Sequence, residues 1–286
     1  MTNNTKGTIF MCLSALSFAT MGAFTKVSSG EFSPYQLIFF RGIVSAIFIF
    51  LITKKDELNF FGKTSKSKKM LFYRSLLGTA GAVCYFIAIK NLFLANAVLL
   101  NNLSPIWVTI FAFIFLKEKI TIKQIIFLTV MFIGAIFIIK PKLDFSIIPS
   151  LIGFSSAIFA GAAYTLVRHI SSFEKPANLV LWFSIYSSIF MIPVLYFTGF
   201  KIPTFKELLP IIMIGVLSGA GQLFLTLAYK SVIASKVSIF QYFNIVFASM
   251  YGIIFWGEVP DIYSIIGGVL VIGSAVSSFV INKKSD

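Results

Sequence analysis

The sequence predicts an all-α membrane protein of ten transmembrane helices, arranged as two inverted five-helix repeats. Three observations predict it. Of 286 residues, 58% are hydrophobic and only 12% charged, with a mean hydropathy of +0.93. A soluble domain carries about 45–50% apolar and about 25% charged residues, which excludes an ordinary soluble fold. The apolar residues fall into ten long runs, and a match at constant offset links the two halves.

The runs span approximately 8–26, 35–52, 70–89, 95–116, 121–139, 147–167, 177–198, 208–229, 235–256 and 262–281. A helix needs roughly 20 apolar residues to cross a bilayer, so ten spans leave only short loops. The runs exceed any globular strand and lack the alternation of a membrane barrel. In lipid the backbone must satisfy its own hydrogen bonds, which makes them helices. Pro34, Pro141, Pro176, Pro203 and Pro260 fall between runs, where a missing amide does least harm. Pro105 is the main exception, near the middle of the fourth span, and Pro193 and Pro210 lie in or at the start of spans seven and eight. The N-terminal run after Lys6 has the look of a signal peptide. A first membrane helix is the better reading, because equally apolar spans follow. Cys12 and Cys84 lie in apolar runs and are expected as buried thiols rather than a disulfide.

Placement of Lys and Arg sets the orientation. With a cytoplasmic N-terminus, 17 of the 24 fall in inside loops and six outside, leaving Arg41 within span two. The inside set includes Arg74, Lys117, Lys119, Arg168 and Lys175. This bias obeys the positive-inside rule, and an even number of spans puts both termini in the cytoplasm. The formal charge of +14 is therefore a topology signal and not a nucleic-acid surface. The Lys63–Lys69 segment lies where anionic lipid headgroups would meet it.

An offset of 140 pairs Gly81 with Gly221, Ala88 with Ala228, Lys90 with Lys230 and Glu118 with Glu258. The repeats run over 8–139 and 150–281. An odd number of spans per half makes the second enter the membrane from the opposite side. Inverted repeats of this kind serve secondary transporters, which alternate between two gating states around a midplane site.

Tyr73-Arg74-Ser-Leu-Leu-Gly78, with Ala88, Ala95, Ser104-Pro105 and Phe115-Leu-Lys-Glu118, resembles the EamA repeat of the drug/metabolite transporter superfamily. Pro34 with Phe39-Phe40-Arg41 and Gly134 fit the same pattern. The second half repeats it through Ala228-Tyr-Lys-Ser231, Gln241-Tyr-Phe-Asn244 and Phe255-Trp-Gly-Glu258-Val-Pro-Asp261. The resemblance implies a ten-helix carrier of small polar solutes whose central cavity is built from spans one, three, four, six, eight and nine. Two departures stand out. Ile245 replaces Pro105 in the second half, so a kink in span nine needs another cause, and Phe183 is the counterpart of Arg41.

The candidate substrate residues follow from polarity within these spans. Span four carries Asn101, Asn102, Ser104 and Pro105, and span nine carries Gln241, Tyr242 and Asn244. Polar clusters in a lipid-length helix must find partners across helices, in substrate or in water. Pro105 also frees the carbonyl of residue 101. The two clusters are expected to face each other and form much of the site, with interhelical bonding as the competing reading. Tyr85, Gln222 and Tyr164 join them because the resemblance places their spans around the cavity. Arg41 lies roughly 10 Å into span two, where it either snorkels to the interface or anchors an anionic group. Glu118 and Glu258 end spans four and nine and, with Pro105, are assigned to gating and structure. Gly215-x-x-x-Gly219 and Gly267-Gly268 offer faces for close helix approach.

All ten carboxylates lie in loops or at span ends, which argues against a buried proton-switch carboxylate. His169 reads as a solvated span-end residue. Enzyme motifs such as His-Glu-x-x-His and Gly-x-Ser-x-Gly are missing, so an enzyme lacks its parts and neither cofactor nor metal is expected. The expected function is a secondary transporter in a bacterial-type inner membrane, moving an amino-acid-like polar or amphipathic metabolite by alternating access. Its partners are a small-molecule substrate and the lipid bilayer, without nucleic acid. The alternative is a carrier of S-adenosylmethionine or another nucleoside- or vitamin-like metabolite. A passive channel or structural membrane protein is the alternative of a different class.

Overall fold

The computed structural model describes residues 3–53, 65–116, 122–139, 147–171, 174–231 and 238–283. Glu118, with its neighbours Lys117 and Lys119, lies outside these residues, as do Lys63, Lys140 and Lys142. Among the described residues the secondary structure is helical throughout.

The first half forms α1 (Asn3–Ser28), α2 (Pro34–Ile52), α3 (Ser65–Asn91), α4 (Leu94–Asn101), α5 (Ser104–Leu116) and α6 (Ile122–Ile139). The second forms α7 (Ile148–Ile170), α8 (Pro176–Thr198), α9 (Phe205–Ser231), a 3-10 turn (Ser238–Tyr242), α10 (Phe243–Trp256) and α11 (Ile262–Lys283). By length and composition, seven helical segments suit a membrane crossing, with α4 and α5 counted as one. Three shorter apolar helices lie at Ile125–Ile139, Phe240–Trp256 and Ile262–Ser274. Turn chemistry fixes several ends. Ser33 accepts from the Gln36 amide and Pro34 sets the first turn of α2. Gly199 and Gly257 end α8 and α10 at φ of 87° and 63°, which glycine adopts without steric cost.

The fourth apolar run is interrupted at Asn102 and Leu103, so Pro105 stands in the first turn of α5 rather than inside a helix. There its missing amide costs nothing, because first-turn amides have no intrahelical acceptor. The ninth run breaks at the corresponding place without a proline, by winding residues 238–242 into the tighter 3-10 form.

Helix partners follow a regular scheme. α1 packs along α9, and α3 along α7. α1 also meets the 3-10 turn and α10, while α7 meets α4 and α5. α2 touches α9, and α8 touches α3. The pairs α2–α8, α4–α10 and α6–α11 each join corresponding runs of the two halves. Exchanging the halves therefore leaves these principal partners unchanged.

Glycines permit the closest crossings. A Cβ on Gly81 would stand 3.2 Å from Phe159 of α7, and one on Gly221 would stand 3.0 Å from Phe18 of α1. The matched glycines thus occupy equivalent crossings. Gly215 and Gly219 admit Val44 and Ser45 of α2, where added Cβ atoms would come to 2.3 and 2.7 Å. Gly134 and Gly267 set the α6–α11 crossing, each facing the other's carbonyl oxygen. Hydroxyls add hydrogen bonds between helices, with Ser14 donating to the Gly221 carbonyl (2.8 Å) and Ser274 to that of Phe127 (2.8 Å). Each is worth about 0.6 kcal/mol within a membrane, so packing carries most of the cohesion.

Candidate functional site

A cavity of about 80 Å³ of water-accessible volume opens where the two halves meet. α3 lines it with Arg74, Gly78, Gly81, Ala82 and Tyr85, a stripe at helical spacing. Facing helices contribute Phe18 and Met21 from α1, and Ala160, Ala163 and Tyr164 from α7. α9 adds Ser218 and Gln222 one turn apart. Arg41 of α2 and Phe183 of α8 complete these walls, so the second and seventh runs join those expected.

The helix breaks bring in the amides. Asn101 enters from the end of α4, Gln241 from the 3-10 turn and Asn244 from the start of α10. The polar clusters of the fourth and ninth runs thus reach one cavity. Asn101 also donates to Ser156 Oγ at 3.0 Å. Three neighbours do not line the cavity. Asn102 donates its side-chain amide to the Val98 carbonyl of its own helix at 2.8 Å. Ser104 is buried at the start of α5, and the Tyr242 ring belongs to the hydrophobic core. Both clusters span a helix break, and only part of each can face inward.

Arg41 does not snorkel. Its side chain is buried, with Cζ 5.0 Å from the Phe183 ring centroid and 5.8 Å from that of Phe86. Arg74, expected in the cytoplasmic set, is 3% exposed and lies in the cavity wall. Its Cζ stands 3.8 Å from the Phe183 centroid, and Nη2 donates to Gln222 Oε1 at 3.2 Å. Nε and Nη1 of Arg74 are buried without a hydrogen-bond partner, as is Oδ1 of Asn244. Among the described residues, no Asp or Glu lines the cavity. Two guanidinium groups are therefore met by aromatic faces and amides instead of carboxylates. Such faces offset part of the desolvation of a cation, about 2 kcal/mol or more when water is excluded.

Sequence reasoning misses Arg74 because the third apolar run begins at residue 70, which makes it a terminal charge. α3 begins at Ser65, which sets Arg74 roughly 14 Å along the helix. The signal available is its spacing to Gly78, Gly81 and Tyr85 on one helical face.

Beyond the cavity, the ends of α1, α4 and α10 are joined. Lys26 forms a salt bridge with Glu258 Oε1 and donates to the Leu92 carbonyl at 2.9 Å. Glu258 Oε2 accepts from the Leu94 amide at 2.7 Å, and the Lys26 ammonium stands 5.6 Å from the Trp256 centroid. Glu258 therefore pairs with a neighbouring cation and caps the start of α4. His169 is exposed near the end of α7.

The chain matches the EamA-like transporter family over residues 5–140 and again over 147–280. It is 32% identical over 273 residues to the pseudopaline exporter CntI of Pseudomonas aeruginosa, covering 95% of each chain. Similarity extends to the human solute carrier family 35 member G1, at 25% identity over 96% of this chain and 79% of that one. A riboflavin transporter of Brucella anthropi is 28% identical, covering 71% of this chain and 73% of its own. One solved crystal structure superposes with a TM-score of 0.71 over 99% of both chains at 14% identity, a likeness of fold alone.

Proposed function

The chain belongs to the EamA-like transporter family, and from that premise we propose that it carries a small polar, amino-acid-like metabolite by alternating access through the Arg41–Arg74 cavity. It is a multi-pass membrane transporter and not an enzyme. In this reading the ten apolar runs each cross the membrane, with α4–α5 and the 3-10 turn with α10 as interrupted spans. The two five-span repeats have opposite orientation. The protein sits in a bacterial-type inner membrane with both termini cytoplasmic, as the distribution of Lys and Arg favours. Similarity to a pseudopaline exporter favours outward transport.

One observation carries the proposal: interrupted helices from both halves bring amides to a single polar cavity between them. Interrupted helices at a repeat interface supply both the polar groups and the hinge that a carrier needs. The exchange-symmetric packing supports two mirror-related states of similar energy. Lys26, Glu258 and the Leu94 amide then close the outer end in the state described. The riboflavin-transporter relative and the ring surfaces of Tyr85, Tyr164 and Phe183 favour a vitamin- or nucleoside-like solute as the second reading.

Reconstitution into liposomes tests the proposal. Vesicles preloaded with an unlabelled solute are diluted into its labelled form, with amino acids, nucleosides and riboflavin compared. A carrier gives saturable, transient accumulation for one solute class, weakened by Gln241→Ala and Asn244→Ala. Linear flux without saturation for every solute that crosses indicates a channel and overturns the proposal.

A further inference from the structure

The cavity has an unbalanced set of binding groups. Arg41 and Arg74 are both buried in its wall, their guanidinium groups approach the same Phe183 ring, and no described lining residue is acidic. Burying a charge without a counter-charge is costly, and proteins ordinarily relieve it by pairing. Here the hydrogen-bond partner of Arg74 is the neutral amide of Gln222. Nε and Nη1 remain open, two N–H donors on different sides of the planar guanidinium, each able to give a charge-assisted hydrogen bond to a carboxylate oxygen. Asn244 adds an opposite element: Oδ1 is a buried acceptor with nothing donating to it. A bound molecule that satisfied both would present a carboxylate to Arg74 and an N–H or O–H to Asn244.

Resting on the carrier reading above, we propose that the cavity takes an anionic amino-carboxylate. One carboxylate accepts from an open N–H of Arg74, further negative charge is shared with Arg41, and an amine or hydroxyl hydrogen donates to Asn244 Oδ1. The two cations exclude polyamines and basic amino acids, which would bring a third positive charge into the same low-dielectric space. They also give the substrate a role in closure, because the empty cavity keeps two uncompensated charges and the occupied one does not.

Cysteine chemistry reads the charge preference of the cavity directly. In the full-length chain with Cys12→Ser and Cys84→Ser, the lining residue Ser218 is changed to Cys. Two reagents of similar size are compared, the anionic methanethiosulfonate ethylsulfonate and the cationic ethyltrimethylammonium analogue. Relative to free cysteine, the anionic reagent is expected to gain about tenfold or more from the local positive field. That gain should vanish in the Arg41→Gln/Arg74→Gln double variant. L-aspartate, L-glutamate or iminodiacetate at millimolar concentration should slow labelling where L-lysine and putrescine do not. Ala163→Cys provides a second reporter position if Ser218→Cys fails to fold.

Faster labelling by the cationic reagent, or protection by L-lysine equal to that by the amino-carboxylates, overturns the inference. Protection by inorganic phosphate in preference to L-glutamate overturns the carboxylate assignment. The two proposals fail separately. Saturable exchange of a neutral solute such as uridine, without anion preference in the cavity, sinks this inference and leaves the carrier reading. Anion-selective protection without saturable flux of any solute does the reverse.

Discussion

Arg74 donates from Nη2 to Gln222 Oε1 at 3.2 Å, joining α3 to α9 with a neutral partner where a carboxylate would satisfy the charge fully. The pairing holds Nη2 of the guanidinium and leaves the Nε and Nη1 donors free for a ligand. Gln222→Glu should therefore trade function for stability. An acidic residue at 222 neutralises Arg74 in place, raising the melting temperature in detergent. Charge-assisted bonds to a buried group contribute about 1.5–3 kcal/mol. Transport should fall at least as steeply as it does in Gln222→Ala, because the site no longer lacks an anion. Thermal unfolding and vesicle exchange, measured on both variants, check the two halves of this prediction.

The adjacent asparagines of the fourth run should separate by role. Asn101→Ala removes an amide from the cavity wall and should raise KM severalfold. Asn102→Ala removes a bond to the Val98 carbonyl; it should cost about 1 kcal/mol of stability and leave KM near that of the unmodified chain. Substrate titration of exchange rates, alongside thermal unfolding, distinguishes them. Equal effects on KM would place both side chains in contact with substrate.

Lys26 and Glu258 are both largely buried, at 13% and 9% side-chain exposure. Lys26→Met leaves the carboxylate with the Leu94 amide but no cation and should destabilise this closed end by about 3 kcal/mol. The exchange Lys26→Glu/Glu258→Lys should recover part of that loss. Denaturation in detergent gives the comparison, and failure of the exchange variant to improve on Lys26→Met would show that the Leu94 and Leu92 contacts dominate.

At the α6–α11 crossing, a Cβ on Gly267 would come within 2.6 Å of the Gly134 carbonyl oxygen, and one on Gly134 within 2.9 Å of the Gly267 oxygen. Backbone on both sides leaves no flexible atom to yield. Gly267→Val should therefore destabilise by about 1–3 kcal/mol, whereas Gly273→Ala, with nothing within 4 Å of its added Cβ, should be tolerated. Melting temperatures of the two variants test this.

The helices are legible in the sequence because the membrane makes length and apolarity nearly sufficient evidence. The break at Asn102–Leu103 is foreshadowed by Pro105, although the proline begins a helix instead of kinking one. The matching 3-10 turn at 238–242 carries no proline or glycine, so its winding follows from packing against α1 and α10. Within the cavity, the clusters around Asn101 and Gln241 announce themselves as polarity in apolar runs. Phe183 is visible only as the residue opposite Arg41 in the repeat, because a phenylalanine among 34 carries no signal of its own. Which way Arg41 and Arg74 turn depends on helix phase and on that aromatic partner.

Alternating access is most directly tested by paired distance measurements at the two ends of the bundle. Spin labels at the exposed positions Val27 and Val259 report the Lys26–Glu258 end, and labels at Ile9 and His169 report the opposite end. In lipid nanodiscs, Glu258→Gln should shift the first pair from short to long separations while the second pair shortens. A single unchanged distance at both ends, in both forms of the protein, would contradict the carrier account.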